Sequence, residues 1–194
     1  MGLRIIGGSH RGRIIKSLPG KTTRPTQEKV REALFNFLQT SLFDANFLDL
    51  FGGTGAIGFE ALSRGAKKAT FIEKNKAAYL TLLENSKKLN FSDKTHILFG
   101  SVDRHLPKLK GPFDIVYIDP PYDTPFLHYQ KWLKLLAEKA LSKEALLIIE
   151  EDQDRTEHFK LKLHPFLFYQ ETKNYGRTQL HILKFSKINE SNPI

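Results

Sequence analysis

The chain of 194 residues contains no cysteine, which excludes disulfide bonds and cysteine-ligated zinc. It also lacks any apolar run that approaches the roughly 18 residues of a membrane-spanning helix, and no apolar signal core follows Met1-Gly2-Leu3-Arg4. The seven histidines are scattered, and no cluster with metal-ligand spacing stands out. From these absences we expect a cytoplasmic protein with no membrane association and no metal site.

Acidic residues are scarce at the N-terminus. The whole chain has a net charge of +9, and residues 1–31 contain eight Lys and Arg against one Glu, a net charge of +7 that leaves +2 for the remainder. A concentrated basic segment is typical of contact with a phosphate backbone. A solvated tail is the alternative, but apolar and basic residues alternate here, which favours an ordered arm that binds nucleic acid.

The order of the elements predicts an α/β domain. Apolar runs predict buried strands at residues 47–51, 69–73, 96–99, 113–118 and 145–150, with helices between them at 59–64, 75–90 and around 127–136. Strands that alternate with helices indicate a doubly wound, mostly parallel sheet. Two late strands, 166–171 and 178–185, have no helix-length connection, so we expect one of them to run antiparallel.

The arm has its own predicted elements. Residues 3–6 and 13–16 flank a glycine-rich turn and predict a basic β-hairpin. Thr26 is predicted to cap a helix from Gln27 to about Ser41, whose apolar stripe docks on the main domain. We therefore divide the chain into an arm at 1–41, a main domain at 42–187 and a disordered tail at 188–194.

A glycine pattern, Gly53-x-Gly55-x-x-Gly58, follows the first strand of the main domain and opens a helix. Glu73 ends the next strand, 20 residues after Gly53. Such glycines let a ligand approach the backbone, and a strand-end acid accepts ribose hydroxyls, as in sites for nicotinamide dinucleotides or S-adenosylmethionine. Asp49, just before the loop, favours S-adenosylmethionine, because it suits a ligand ammonium and repels a pyrophosphate. The alternative for Asp49 and Glu73 is hydrogen bonding within the loops.

A second motif, Asp119-Pro120-Pro121-Tyr122, follows the strand at 113–118. The Asp119 carboxylate and the Pro120 carbonyl are two acceptors, Pro121 stiffens the loop, and Tyr122 offers a flat face for stacking. This set suits a planar exocyclic amine held for methylation. The alternative is a proline-rich strand end with a helix-capping aspartate.

With these motifs the chain resembles the RsmD-type bacterial 16S rRNA (guanine-N2)-methyltransferases, which use S-adenosylmethionine and have a seven-stranded Rossmann-like fold. The resemblance extends to about Phe185. It depends on eight segments, namely Arg4-Ile5-Ile6-Gly7-Gly8 with Arg11-Gly12-Arg13, Arg24-Pro25-Thr26 with 30–36, 49–55, 60–66, 119–122, and Tyr175-Gly176.

The resemblance implies roles for particular residues. Asp119 and Pro120 would hold the guanine N2 amine, and Tyr122 would stack on the base. Residues implied to bind the cofactor are Asp49, Gly53, Thr54, Gly55, Glu73, Ser101 and Asp119. Residues implied to bind RNA are Arg4, Arg11, Arg13 and Arg24, together with His10.

One position departs from the family pattern. Ser101 stands where relatives have an acid near the adenine, so either Ser101 or Asp103 would contact the adenine amine. The implied partner is 16S rRNA, either free or within the small ribosomal subunit, and we expect a monomer. The alternative functions are an adenine-N6 methyltransferase on RNA or DNA, a protein-glutamine methyltransferase, a nicotinamide-dependent oxidoreductase and a non-catalytic RNA-binding assembly factor.

Overall fold

The computed structural model of the chain describes residues 2–18, 25–154 and 164–186. Near the N-terminus, β1 (Gly2–Arg4) and β2 (Ile14–Lys16) form an antiparallel hairpin. A seven-stranded sheet consists of β3 (Asn46–Asp49), β4 (Lys68–Glu73), β5 (Thr95–Phe99), β6 (Phe113–Ile118), β7 (Leu141–Asp152), β8 (Leu167–Tyr175) and β9 (Thr178–Phe185). The α-helices of the described residues are α1 (Pro25–Phe37), α2 (Ala56–Ser63), α3 (Lys76–Lys88), α4 (Val102–His105) and α5 (Phe126–Lys139).

The strand order across the sheet is β5-β4-β3-β6-β7-β9-β8. The first five strands of this order are parallel, and β9 runs antiparallel to both β7 and β8. Only Gly176 and Arg177 separate β8 from β9, so these two strands must run in opposite directions. Gly176 has a φ of 61°, the left-handed conformation that such a tight turn favours. The predicted fold, a mostly parallel seven-stranded sheet with an antiparallel C-terminal strand, is confirmed.

Apolar side chains cover both faces of the sheet. Phe47 in β3 and Ile148 in β7 pack in one core with residues of α1, α2 and α3. Their neighbours Leu48 and Leu147 pack in a second core with residues of α4 and α5, because successive side chains of a strand point to opposite faces. No helix within the described ranges combines the length and the apolar character needed to cross a membrane.

The N-terminal hairpin is docked on α2. Ile5 and Ile15 are fully buried in the core that α1, α2 and α3 share. The carboxylate of Glu60, which is itself fully buried, accepts hydrogen bonds from the backbone N–H groups of Ile6 at 2.7 Å and Gly7 at 2.8 Å. Both apolar and charge-assisted contacts therefore hold the hairpin against the body.

The bounds of α1 differ from the prediction. The helix begins at Pro25, two residues before the expected start at Gln27, so Thr26 lies in its first turn and does not cap it. Proline suits the first helical position because it has no backbone N–H group, and an N–H group there would have no acceptor within the helix. The helix ends at Phe37, whereas we expected it to reach about Ser41.

Strand β7 is twice as long as the six residues predicted at 145–150. At its start a register shift lets Leu141 pair with Phe113 of β6, and at its end Asp152 pairs with Thr178 of β9. The charged residues at its C-terminal end thus pair with β9 through their backbones, although Glu151 and Asp152 gave no strand signal. This extension carries β7 beyond Glu150 to Asp152 at the carboxyl edge of the sheet.

Candidate active site

The carboxyl ends of β3, β4 and β6 open into a cavity of about 530 Å³. This edge is where open α/β sheets bind their ligands, and the volume lies within the range of small-molecule sites. Of the residues predicted from sequence, the cavity is lined by Asp49, Gly53, Thr54, Glu73, Ser101, Asp119 and Pro120. Gly55 and Tyr122 lie outside its lining.

The glycine loop between β3 and α2 forms one wall. Gly53 has a φ of 53°, and a Cβ added to it would meet only the Phe51 carbonyl oxygen at 3.9 Å. Gly55 serves a different purpose from the ligand contact we expected. Its φ is 91°, and a Cβ there would lie 2.1 Å from the Phe59 ring and 2.5 Å from Leu82, so only glycine fits beneath the loop.

Glu73 ties this loop to the end of β4. Its carboxylate accepts hydrogen bonds from the backbone N–H groups of Gly53 at 2.8 Å and Asn75 at 2.6 Å. Glu73 therefore does make the hydrogen bonds within the loops that were the alternative to ribose binding. A carboxylate offers about four acceptor sites, so the same side chain, which lines the cavity, also has capacity for ribose hydroxyls.

Asp49 is the buried acid of the cavity, with 2% of its surface exposed. Burial raises the pKa of this carboxyl group to about 7, and the nearby Glu73 carboxylate adds to the increase. A hydrogen bond from the Phe51 backbone N–H, at 3.2 Å, acts in the opposite direction. A buried carboxylate with so little compensation is well suited to a cationic ligand group.

Ser101 and Asp103 flank the start of α4. The Ser101 hydroxyl oxygen accepts a hydrogen bond from the Arg104 backbone N–H at 3.3 Å, and the residue lines the cavity. Asp103 faces α5, where it accepts hydrogen bonds from Lys131 Nζ at 2.8 Å and Trp132 Nε1 at 3.3 Å. Although partial burial tends to raise its pKa, these partners hold the pKa of Asp103 below its usual value. Of the two, Ser101 is therefore the one placed to meet a ligand.

The loop after β6 separates the first cavity from a second one of about 200 Å³. Asp119 and Pro120 line both cavities, whereas Tyr122, 63% exposed, lines only the second. Behind them Tyr117 lies buried at the end of β6 and contributes to the wall of the first cavity. Two ligand groups could thus meet at the Asp119-Pro120 peptide from opposite sides.

The basic residues of the arm differ in their local contacts. Arg4 Nη1 donates to the Gly12 carbonyl at 3.0 Å, which braces the hairpin turn. Arg11 and Arg13 are exposed. His10 is held inward, with Nε2 2.9 Å from the Leu89 carbonyl oxygen and its ring tilted against the Phe91 ring at 4.3 Å, and this placement does not suit the predicted phosphate contact. Arg24 lies outside the described residues.

Sequence reasoning missed two polar side chains that build the site. Asn85 is fully buried and donates from Nδ2 to the Thr54 carbonyl at 2.9 Å, which fastens the glycine loop to α3. Tyr117 donates from its hydroxyl group to the Glu150 carboxylate on β7. Asn85 could have been noticed as a polar residue on the inward face of a predicted helix. Nothing in the sequence distinguishes Tyr117 from an ordinary strand residue.

Comparisons with known proteins agree with this geometry. A family model described as conserved hypothetical protein 95 matches residues 3–184. The chain is similar to ribosomal RNA small subunit methyltransferase D of Escherichia coli strain K12, with 37% identity over 151 residues, 77% of this chain and 75% of that protein.

Solved structures of putative methyltransferases share the fold of this chain. A putative methyltransferase, yhhF, from Escherichia coli has a TM-score of 0.83 and 31% identity, covering 96% of this chain and 99% of that one. A putative SAM-dependent methyltransferase from Streptococcus mutans shares the fold with a TM-score of 0.65 at 18% identity, covering 84% of this chain and 49% of that one. Likeness to the first structure therefore extends over nearly the whole chain.

Proposed function

The chain belongs to the RsmD-type methyltransferase family, and we propose that it transfers a methyl group from S-adenosylmethionine to the exocyclic N2 of a guanine in 16S ribosomal RNA. The observation that most directly supports this proposal is the shared wall of the two cavities. Asp119 and Pro120 line both of them. A methyl donor in the larger cavity and an acceptor amine in the smaller one would meet at two hydrogen-bond acceptors.

The larger cavity fits S-adenosylmethionine by size and by chemistry. The buried Asp49 carboxylate would accept the ammonium group, and Glu73 at the end of β4 would accept the ribose hydroxyls. Gly53 and Thr54 would bring the loop backbone against the ligand, while Ser101 would accept from the adenine amine. When bound, the cofactor supplies a sulfonium methyl group that is already activated for transfer.

Asp119 and Pro120 would then orient the acceptor. The lone pair of guanine N2 is delocalised into the ring, which makes the amine a poor nucleophile. Two acceptors, the Asp119 carboxylate and the Pro120 carbonyl, would take both N–H bonds and hold the nitrogen in line with the methyl group. Asp119 would also accept the proton released after transfer, and Tyr122 would stack on the base.

The RNA must present an unpaired or flipped guanine, because N2 lies within the pairing edge of a helix. Arg11 and Arg13, with Arg4 and Arg24, would hold the neighbouring phosphates, so residues 1–41 act as the RNA-binding arm of the methyltransferase domain at 42–187. The proposed substrate is 16S rRNA, either free or within the small ribosomal subunit, and such a substrate would place the enzyme in the cytoplasm. A single copy contains every residue given a role, so the proposal needs only a monomer.

The test supplies radiolabelled S-adenosylmethionine with unmodified small subunits, naked 16S rRNA or DNA, followed by nucleoside digestion. We expect N2-methylguanosine at one rRNA position. The rates of labelling of the small subunits and of the naked rRNA then show which of the two is the preferred substrate. Label in N6-methyladenine would overturn the base assignment. Absence of label from all three acceptors, with cofactor still bound, would overturn the nucleic-acid substrate.

A further inference from the structure

The smaller cavity is acidic. Its wall contains four carboxylates and the aromatic ring of Tyr122, and its lining consists of Asp119, Pro120, Tyr122, Glu150, Glu151, Asp152 and Thr178. A volume of about 200 Å³ is below the roughly 300 Å³ at which sites for whole small molecules begin. The cavity therefore suits a single heterocyclic base, and its carboxylates select a base edge that is rich in hydrogen-bond donors.

Three of these carboxylates come from consecutive residues of β7 and differ in how they are held. Glu151 points to the α5 side and accepts a hydrogen bond from the Tyr129 hydroxyl group. Asp152 accepts from the Asp154 backbone N–H at 3.1 Å and lies 3.5 Å from Arg177 Nη2. Local partners therefore occupy or partly neutralise both of these side chains.

Glu150 is held differently. Its Oε2 accepts the hydroxyl hydrogen of Tyr117, and among the described residues no other side chain or backbone group hydrogen-bonds to it. Tyr117 lines the larger cavity and Glu150 lines the smaller one, so this hydrogen bond crosses the wall between them. Burial raises the pKa of Glu150, and the Tyr117 hydroxyl group counteracts the increase by stabilising the carboxylate. Oε1 thus remains an available acceptor on a side chain that lines the smaller cavity.

The Watson–Crick edge of guanine places two donors side by side, the N1–H and the N2 amine. Adenine and cytosine instead carry a lone pair beside their amine. Resting on the proposed function, we propose that Glu150 is the residue that selects guanine, its Oε1 accepting the N1–H while Asp119 and Pro120 hold the N2 amine. A lone pair at the same position would face a carboxylate oxygen, and this repulsion rejects the other amino bases.

Tyr117 is a positioning residue in this arrangement. Its hydroxyl hydrogen fixes Oε2, which sets the direction of Oε1. In Glu150→Gln the same hydroxyl group would fix the amide oxygen, so that the amide NH2 faces the base. The variant would then donate where the native side chain accepts, and its preference would turn toward a base with an acceptor at position 1.

The experiment varies the base and residue 150 together. Once the target guanine has been located, an RNA fragment is made with either guanine or 2-aminopurine at that position, since 2-aminopurine keeps the 2-amino group but has a lone pair at N1. We expect the wild-type protein to prefer guanine in kcat/KM on the order of 100-fold, as for loss of a charge-assisted hydrogen bond. In Glu150→Gln the preference should shrink by about tenfold or more.

Glu144→Gln is the matched control, because Glu144 lies at the other end of β7, is exposed, and pairs with Lys184 at 2.7 Å. It should keep the wild-type preference.

Equal preferences in Glu150→Gln and wild type would overturn the proposal, and so would a wild-type protein that methylates both bases equally. If Glu150→Gln is too slow to assay, equilibrium binding of the two RNAs with S-adenosylhomocysteine gives the same comparison. Failure of the proposed function is distinct, since wild type would then not methylate the guanine RNA.

Discussion

Asp49 is the buried carboxyl group that we propose binds the cofactor ammonium, and we expect its pKa of about 7 to make cofactor binding depend on pH. An ammonium group stabilises the ionised form, so binding below pH 7 must release the proton of Asp49. We expect affinity for S-adenosylhomocysteine, measured by calorimetry, to fall by roughly tenfold for each pH unit below 7. In Asp49→Asn the affinity should be weak and nearly independent of pH between about 5.5 and 7.5.

The stability of the unliganded protein provides an independent check on Asp49. Its pKa is higher in the folded chain than in the unfolded chain, so the contribution of Asp49 to the free energy of unfolding decreases as the pH rises from about 4 to 7. Asp49→Asn removes this effect and should be more stable than wild type at pH 8, on the order of 2–4 kcal/mol by urea denaturation, with little difference at pH 4. A wild-type affinity that does not change with pH would contradict the assignment of Asp49 to the ammonium.

Asp119 should act on the rate of transfer more than on cofactor binding. Asp119→Ala removes one of two acceptors for the target amine, so we expect the single-turnover rate to fall on the order of 100- to 1,000-fold, as when one preorganised hydrogen-bonding group is lost elsewhere. Cofactor affinity should change little. Asp123→Ala is the control, because Asp123 is an exposed carboxylate in the same loop. A near-native rate in Asp119→Ala would remove this residue from the reaction.

Sequence alone identified the cavity-lining residues that lie at strand ends. Asp49, Glu73 and Asp119 follow apolar runs, and the carboxyl ends of parallel strands meet at one edge of the sheet, so their proximity could be inferred. Glu150 also ends an apolar run and was included in a predicted strand. Its role depends on a hydroxyl group 33 residues earlier in the chain, and no local pattern encodes such a pairing.

At the scale of elements, α3 joins the hairpin to the glycine loop through one side chain. Asn85 Oδ1 accepts from the Lys16 backbone N–H at 2.8 Å, and Nδ2 donates to the carbonyls of Lys16 at 3.0 Å and Thr54 at 2.9 Å. Asn85→Ala would leave three backbone groups without this partner. We expect the free energy of unfolding to fall by about 2–4 kcal/mol and cofactor affinity to weaken, because Thr54 lines the cavity.

A neighbouring residue tests whether the Asn85 effect is specific. Glu84 pairs with Lys16 Nζ at 2.7 Å, but both side chains are 57% exposed. Exposed pairs contribute little, so Glu84→Ala should change the free energy of unfolding by no more than about 0.5 kcal/mol. If Asn85→Ala and Glu84→Ala unfold at the same urea concentration, the three hydrogen bonds of Asn85 do not contribute to stability.

The elements were predictable where local pattern and tertiary pairing agree. Buried parallel strands show as apolar runs, and a connection too short for a helix shows that two strands are antiparallel. The long β7 was underpredicted because its ends pair with β6 and β9 through the backbone, whatever their side chains. The start of α1 was misplaced because the proline rule and the threonine-cap rule compete at adjacent residues.

For the molecule as a whole, the charge of the arm is smaller at the surface than the sequence indicates. Arg31 is 6% exposed and donates to the Arg4 carbonyl at 2.7 Å. Burial lowers the pKa of its guanidinium group, although nearby Glu60 partly offsets this. Some of the positive charge therefore holds the hairpin on α1, and the exposed Arg11 and Arg13 remain as candidates for phosphate contact. Sequence composition alone does not separate these two uses of arginine.

This division predicts how RNA binding depends on salt. Each phosphate contact releases a counterion, so reversing Arg11 and Arg13 to Glu should weaken binding and reduce the slope of log K against log salt by about two. Fluorescence anisotropy with a labelled 16S rRNA fragment, at several salt concentrations, measures both quantities. Reversing Lys139 at the end of α5 and Lys143 near the start of β7, both exposed and outside the hairpin, makes the same change in net charge and is the control. Because a general change in net charge would affect both double variants alike, equal slopes in the two would exclude the hairpin as the RNA contact.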